Sequence, residues 1–160
     1  MTAYSADQTS GRVGRTNVQK AAAAVGIVFL LVGVLGFIPG ITSNYDQLEF
    51  ASADSDALLL GIFQVSILHN IVHLLFGVLG LVMARTASGA RTYLVVGGIV
   101  YLVLFLYGLL VGPNSAANFV PVNTADDILH LVLGIGMLGL GLALTRRRSD
   151  VAATPGGVRP

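Results

Sequence analysis

Cysteine is absent from this chain, which excludes disulfides, thiolate metal sites and a cysteine nucleophile. Tryptophan is absent as well, leaving Tyr and Phe as the residues able to anchor at a membrane interface. Charge is scarce: 9 Lys and Arg and 8 Asp and Glu make up 11% of 160 residues. Soluble domains average about 25% charged residues, and a water-soluble fold of this length needs far more polar surface. There is no P-loop, no G-x-G-x-x-G after a strand, no G-x-S-x-G and no pair of acids suited to a soluble cleft. What the chain has instead is apolar residues, 54% of the total, with a mean hydropathy of +0.80.

A membrane-spanning helix needs about 20 mostly apolar residues to cross roughly 30 Å of hydrocarbon. Four stretches meet that requirement, at about 21–38, 65–84, 92–111 and 125–145. The first ends at Pro39-Gly40, a helix-breaking pair, and the third at Gly112-Pro113. The second lies within an uncharged run of 28 residues, Ala57 to Ala84. As straight helix that run would measure about 42 Å, so its first third is expected to protrude, tilt or form a separate interfacial turn. The 41–64 segment is left open as helix, loop or a cap over the outer mouth. The expected fold is an all-α, four-transmembrane-helix bundle over residues 20–146. Tails at 1–19 and 147–160 are polar, small and Gly/Pro-punctuated, and are expected to be disordered.

The few charges are sorted. Arg12, Arg15 and Lys20 precede the first span, Arg85 and Arg91 occupy the second loop, and Arg146 to Arg148 follow the fourth span. The first and third loops hold no Lys or Arg, but carry Asp46, Glu49, Asp54, Asp56, Asp126 and Asp127. The positive-inside rule then places both termini in the cytoplasm. The tail arginines are expected to meet anionic lipid rather than nucleic acid.

An internal repeat is visible. Gly26-Ile27-Val28-Phe29-Leu30 aligns with Gly98-Ile99-Val100-Tyr101-Leu102, and His69 to Gly77 aligns with Asp126 to Gly134. In the second pair Ile71/Ile128, His73/His130, Leu74/Leu131 and Gly77/Gly134 are identical. Apolar identities are cheap in such a chain; the shared His and Gly are informative. Read as a duplication rather than as compositional coincidence, the match implies two similar helical hairpins in parallel orientation.

The segments Leu60-Gly61-Ile62-Phe63-Gln64-Val65 leading to His69-Asn70-Ile71-Val72-His73, and Asn118 to Asp126 leading to His130, resemble a family of small four-helix bacterial membrane proteins. That family occurs largely in high-GC Gram-positive bacteria and is known as a domain of unknown function. The resemblance covers roughly residues 20 to 146. It implies a four-span protein of the bacterial inner membrane with paired His-containing helices, and it carries no activity.

His69 and His73 stand four residues apart and share a helix face, which continues through Gly77, Gly80 and Ala84. Asp126, His130 and Gly134 form the corresponding stripe on the fourth span, with Gly141 two turns on. Small residues mark close helix approach in lipid, so both histidine faces are expected to turn inward near the outer mouth. His73 lies about 18 Å from the level of Arg85 and His130 about 24 Å from that of Arg146, a mismatch tilt and snorkelling can absorb.

Three roles suit these residues. Each His can form an interhelical hydrogen bond that fixes register, with Thr124 as N-cap and Asp127 three residues on at the helix start. Alternatively His69, His73, His130 and Asp126 form a site for Zn, Cu or Fe. Or His73 and His130 hold a haem, or the His/Asp cluster relays protons. Tyr93, Tyr101 and Tyr107 read as interface anchors or packing rather than a stacking platform, and Gln64 and Ser66 could extend the polar cluster. The leading functional expectation is non-enzymatic: a small structural or accessory membrane subunit. It would act through helix–helix association, as a homo-oligomer or within a larger membrane complex. The rival is a metal- or haem-binding redox or transport protein.

Overall fold

The computed structural model describes residues 14–52, 55–111, 117–118 and 122–146. The expected tails before residue 14 and after residue 146, with Arg12, Arg147 and Arg148, lie outside the described residues, as do Asp54, Gly112-Pro113 and Phe119 to Pro121. The architecture is all-α in its main mass, with four helices: α1 (Asn17–Leu35), α2 (Ile67–Met83), α3 (Ala87–Val111) and α4 (Thr124–Arg146). Asn17–Leu35, Ala87–Val111 and Thr124–Leu144 are long and apolar enough to cross a membrane. At 17 residues α2 is a shorter apolar helix, about 26 Å long against a hydrocarbon core of roughly 30 Å.

The first helix begins inside the segment that composition assigns to the tail, and local side-chain chemistry is the reason. The Gln19 Oε1 accepts from the Thr16 amide at 3.0 Å and from Thr16 Oγ1 at 2.9 Å, closing the first turn ahead of the apolar run. Its Nε2 donates to the carbonyls of Ala84 at 3.1 Å and Arg85 at 2.9 Å, tying the start of α1 to the end of α2. The helix also stops earlier than Pro39-Gly40: Gly36 caps it, and Thr42 Oγ1 donates to the Leu35 carbonyl at 3.2 Å.

The beginning of the long uncharged run is strand rather than extended helix. Strands β1 (Thr42–Ser43), β2 (Leu58–Leu59) and β3 (Phe63–Gln64) form an antiparallel sheet in that order, with a 3₁₀ turn at Tyr45–Gln47. Leu60 and Gly61 take φ values of 55° and 71°, and the Ile62 amide donates to the Leu59 carbonyl at 3.1 Å. Two successive left-handed residues make a tight hairpin turn of the kind that matches strand twist. Ala57, Leu59 and Val65 are buried against Val32 and Leu35 of α1, so the sheet caps that end of the bundle.

Helix α1 packs most extensively on α2, and α3 on α4. The contacts of the two seams correspond residue for residue. A β-carbon on Gly26 would lie 3.0 Å from the Gly77 carbonyl oxygen and 3.1 Å from the Leu81 amide nitrogen. One on Gly98 would lie 2.9 Å from the Gly134 carbonyl and 2.7 Å from the Leu138 nitrogen. Leu30 covers Gly77 as Leu102 covers Gly134. Only glycine allows backbones this close, and in lipid such approach supplies the dispersion that water would otherwise drive by exclusion. Gly80 faces the Tyr93 ring, and Gly141 faces Leu94 and Val95, so all four glycines of the two histidine stripes meet a neighbouring helix.

Candidate functional site

The polar residues inside the bundle gather beneath the sheet. Ser66 caps α2, its side chain accepting from the His69 amide at 3.1 Å. One turn later the Nδ1 of His73 donates to the His69 carbonyl at 3.0 Å. A carbonyl can only accept, so that nitrogen carries the proton and Nε2 of the neutral ring is left as the acceptor. The His69 and His73 rings stack, with centroids 4.2 Å apart and planes 11° from parallel.

At α4 the cap differs from the expected Thr124/Asp127 pair by one residue. Asn123 is the cap: its Oδ1 accepts from the amides of Ala125 at 2.8 Å and Asp126 at 3.0 Å. Asp126 Oδ2 returns a bond from the Asn123 amide at 3.0 Å, which closes a capping box with Asp in the third position. Thr124 is therefore the first helical residue. Asn reaches its own chain two and three residues on more readily than Thr does, which moves the helix start. Asp127 is freed from capping, and its Oδ1 lies against Gly108 without a hydrogen-bond partner among the described residues. Asn70 stands against Gly36 in the corresponding way, with neither side-chain polar atom paired among the described residues.

Asp126 also reaches the cap. Its Oδ2 accepts from the Gln64 amide of β3 at 3.0 Å, and Asn123 Nδ2 donates to the Ile62 carbonyl at 2.8 Å. The expected outward extension of the cluster by Gln64 and Ser66 thus takes the form of a backbone latch and a helix cap.

His69, His73, His130 and Asp126 line one cavity together with Phe29 and Tyr101. All four polar residues are buried, His130 to 4% exposure and Asp126 to 2%. His130 Nδ1 has no hydrogen-bond partner among the described residues. Phe29 meets His73 edge-on at 5.6 Å, Tyr101 meets His130 at 5.3 Å, and Phe29 stacks on Tyr101 at 5.4 Å. A continuous row of rings therefore runs from His73 to His130.

That row bears on the cofactor expectations. A haem ligated by His73 and His130 would need the plane that Phe29 and Tyr101 fill, so the residues present do not fit a macrocycle there. One Asp126 oxygen is engaged by two backbone amides, and the stacked His69 and His73 rings lie side by side rather than converging. Among the described residues, no group of three or more His, Cys, Asp or Glu side chains is arranged to hold a metal ion.

Sequence reasoning gave no role to Asn70, Asn123 or Phe29. The repeat already pairs Phe29 with Tyr101 and Asn70 with Asp127, and its second offset, extended upstream, pairs Ser66 with Asn123. Tyr101, like Tyr93, is a core residue, 4% and 3% exposed respectively.

Fold and site together define a helical protein with helices long and apolar enough for a bilayer and a buried imidazole cluster under a small sheet. The chain belongs to the family described as Domain of unknown function (DUF4383), whose model matches residues 19–143. No curated protein matches it, and no solved structure does.

Proposed function

We propose that this chain is a four-span protein of a bacterial cell membrane that works through lateral helix association, with itself or as an accessory subunit of a larger membrane assembly. Its two hairpins are parallel copies of one unit, and both termini face the cytoplasm. The sorted charges support that orientation, and the corresponding glycine seams support the duplication.

The observation that carries the association is on α4. Gly136 and Gly139 are exposed, and a β-carbon on either would meet nothing within 4 Å. Every other helical glycine among the described residues faces a neighbour inside the molecule. Each glycine costs a helix about 1 kcal/mol relative to alanine, so two with no internal purpose leave a flat strip for a second backbone.

The absence of cysteine makes the test direct, because an introduced thiol has no competitor. Single cysteines at Gly136, Gly139 and Leu140 should crosslink in native membranes, to a second copy or to a partner. One at Val103, exposed on α3, should not. Uniform crosslinking at all four sites, or none, would refute the association. Labelling of single cysteines near residues 5, 46 and 155 by an impermeant maleimide tests the orientation separately: only position 46 should react from outside.

A further inference from the structure

Two openings lead to the histidines, and they correspond through the repeat. One, between α2 and α3, is walled by Val72, Phe76, Val100 and Leu104. The other, between α4 and α1, is walled by Leu129, Leu133, Val28 and Val32 and roofed by Leu59, Leu60 and Phe63 of the sheet. Both share His69, His73, Tyr101 and His130. Their volumes are about 200 and 240 Å³. At the mouths Val28, Val72 and Val100 are 50%, 41% and 36% exposed, so both cavities open on the outer, apolar surface of the helices.

We propose that this histidine floor binds the ring of an alkyl- or prenyl-tailed quinone that enters sideways between the helices. The mouths lie among residues of membrane-spanning character, so what enters must dissolve in hydrocarbon. Sites that enclose a whole drug-sized ligand measure about 300–1,000 Å³; these hold a ring while the tail stays in lipid. The floor selects the ring's chemistry. His130 is buried and borders both cavities, and its Nδ1 has no hydrogen-bond partner among the described residues; a neutral imidazole protonated at the nitrogen that faces the cavity donates to a carbonyl. His69, His73 and Tyr101 border both cavities, aromatic surface against which a planar ring packs. A quinone is planar, apolar at its edges and equipped with carbonyl acceptors.

This inference rests on the membrane-spanning reading and is independent of lateral association. The probe is decylubiquinone, titrated against the full chain in lipid nanodiscs, with decylbenzene as a tail-matched control lacking carbonyls. Saturable binding of decylubiquinone alone is expected, accompanied by a shift of the His130 resonance in histidine-selective ¹⁵N spectra. His130→Phe should weaken binding at least tenfold while keeping the ring. Should that variant fail to fold, Val28→Trp with Val100→Trp, which fills both mouths and leaves the histidines intact, should do the same. Equal retention of the two probes, no saturation, or affinity that survives the mouth-filling pair would overturn the proposal. Such a failure, in a protein that inserts normally, would leave the membrane and association readings standing.

Discussion

Replacing Gly98 by alanine should pry α3 from α4, whereas the same replacement at Gly136, two residues beyond its partner Gly134, should not. The new β-carbon at position 98 would sit 2.7 Å from the Leu138 amide nitrogen and 2.9 Å from the Gly134 carbonyl oxygen. Both are backbone atoms of α4, so no flexible tip can swing away. Comfortable carbon contacts begin near 3.5 Å, so the helices must part by roughly 0.6–0.8 Å along the seam. Overpacking of that kind costs about 1–3 kcal/mol, and a value of about 2 is roughly a thirtyfold loss in the folding equilibrium. Gly26→Ala strains the corresponding seam less, with contacts of 3.0 and 3.1 Å, and should cost about 1 kcal/mol. At Gly136 the carbon meets nothing within 4 Å, and the gain in helix propensity of up to about 1 kcal/mol makes the change neutral or favourable to the monomer. Reversible unfolding in mixed dodecyl maltoside and SDS micelles, followed by circular dichroism at high dilution, ranks the three variants. Gly98→Ala as stable as Gly136→Ala, or Gly26→Ala the worst of the set, would refute the seam argument.

Asp126→Ala should leave the half-buried amides of Gln64 and Asn123 without their shared acceptor, at about 1 kcal/mol for each. Hydrogen exchange at those two amides should accelerate while exchange at the α1–α2 seam stays slow. Gln19→Ala should free the Ala84 and Arg85 carbonyls and fray the start of α1, for a loss of about 1 kcal/mol spread over its hydrogen bonds, seen as faster exchange at residues 17–20. Leu60→Gly should relieve the left-handed strain at φ 55°, slowing exchange across the β2–β3 turn by an amount equivalent to about 1 kcal/mol.

The four helices were legible because hydrophobic runs of membrane length are unambiguous, and the inward placement of the histidine stripes followed from small residues at helical spacing. The helix starts were less legible, because side chains rather than hydropathy set them. Gln19 opens α1 before its apolar run, and Asn123 takes the cap from Thr124 by reaching two amides at once. The sheet was hidden for a different reason. Ala57 to Val65 is as apolar as a span, and only the turn at Leu60-Gly61 distinguishes it from one. Of the histidine cluster, the sequence specified the residues but not what separates them. Phe29 and Tyr101 occupy corresponding positions of the repeat, and their stacked rings lie between His73 and His130.

The bonds from Gln64 and Ile62 to Asp126 and Asn123 also set an order of events during synthesis. The sheet is made of residues that leave the ribosome before α2, yet its fastening belongs to the last helix. Until α4 arrives, the strands rest on the end of α1 and on the first turn of α2, whose Ile67 and Leu68 amides donate to the carbonyls of Glu49 and Phe50. Closure of the cap therefore waits for the last helix: a product lacking α4 would leave the Gln64 amide and the Ile62 carbonyl without the partners that fasten the sheet.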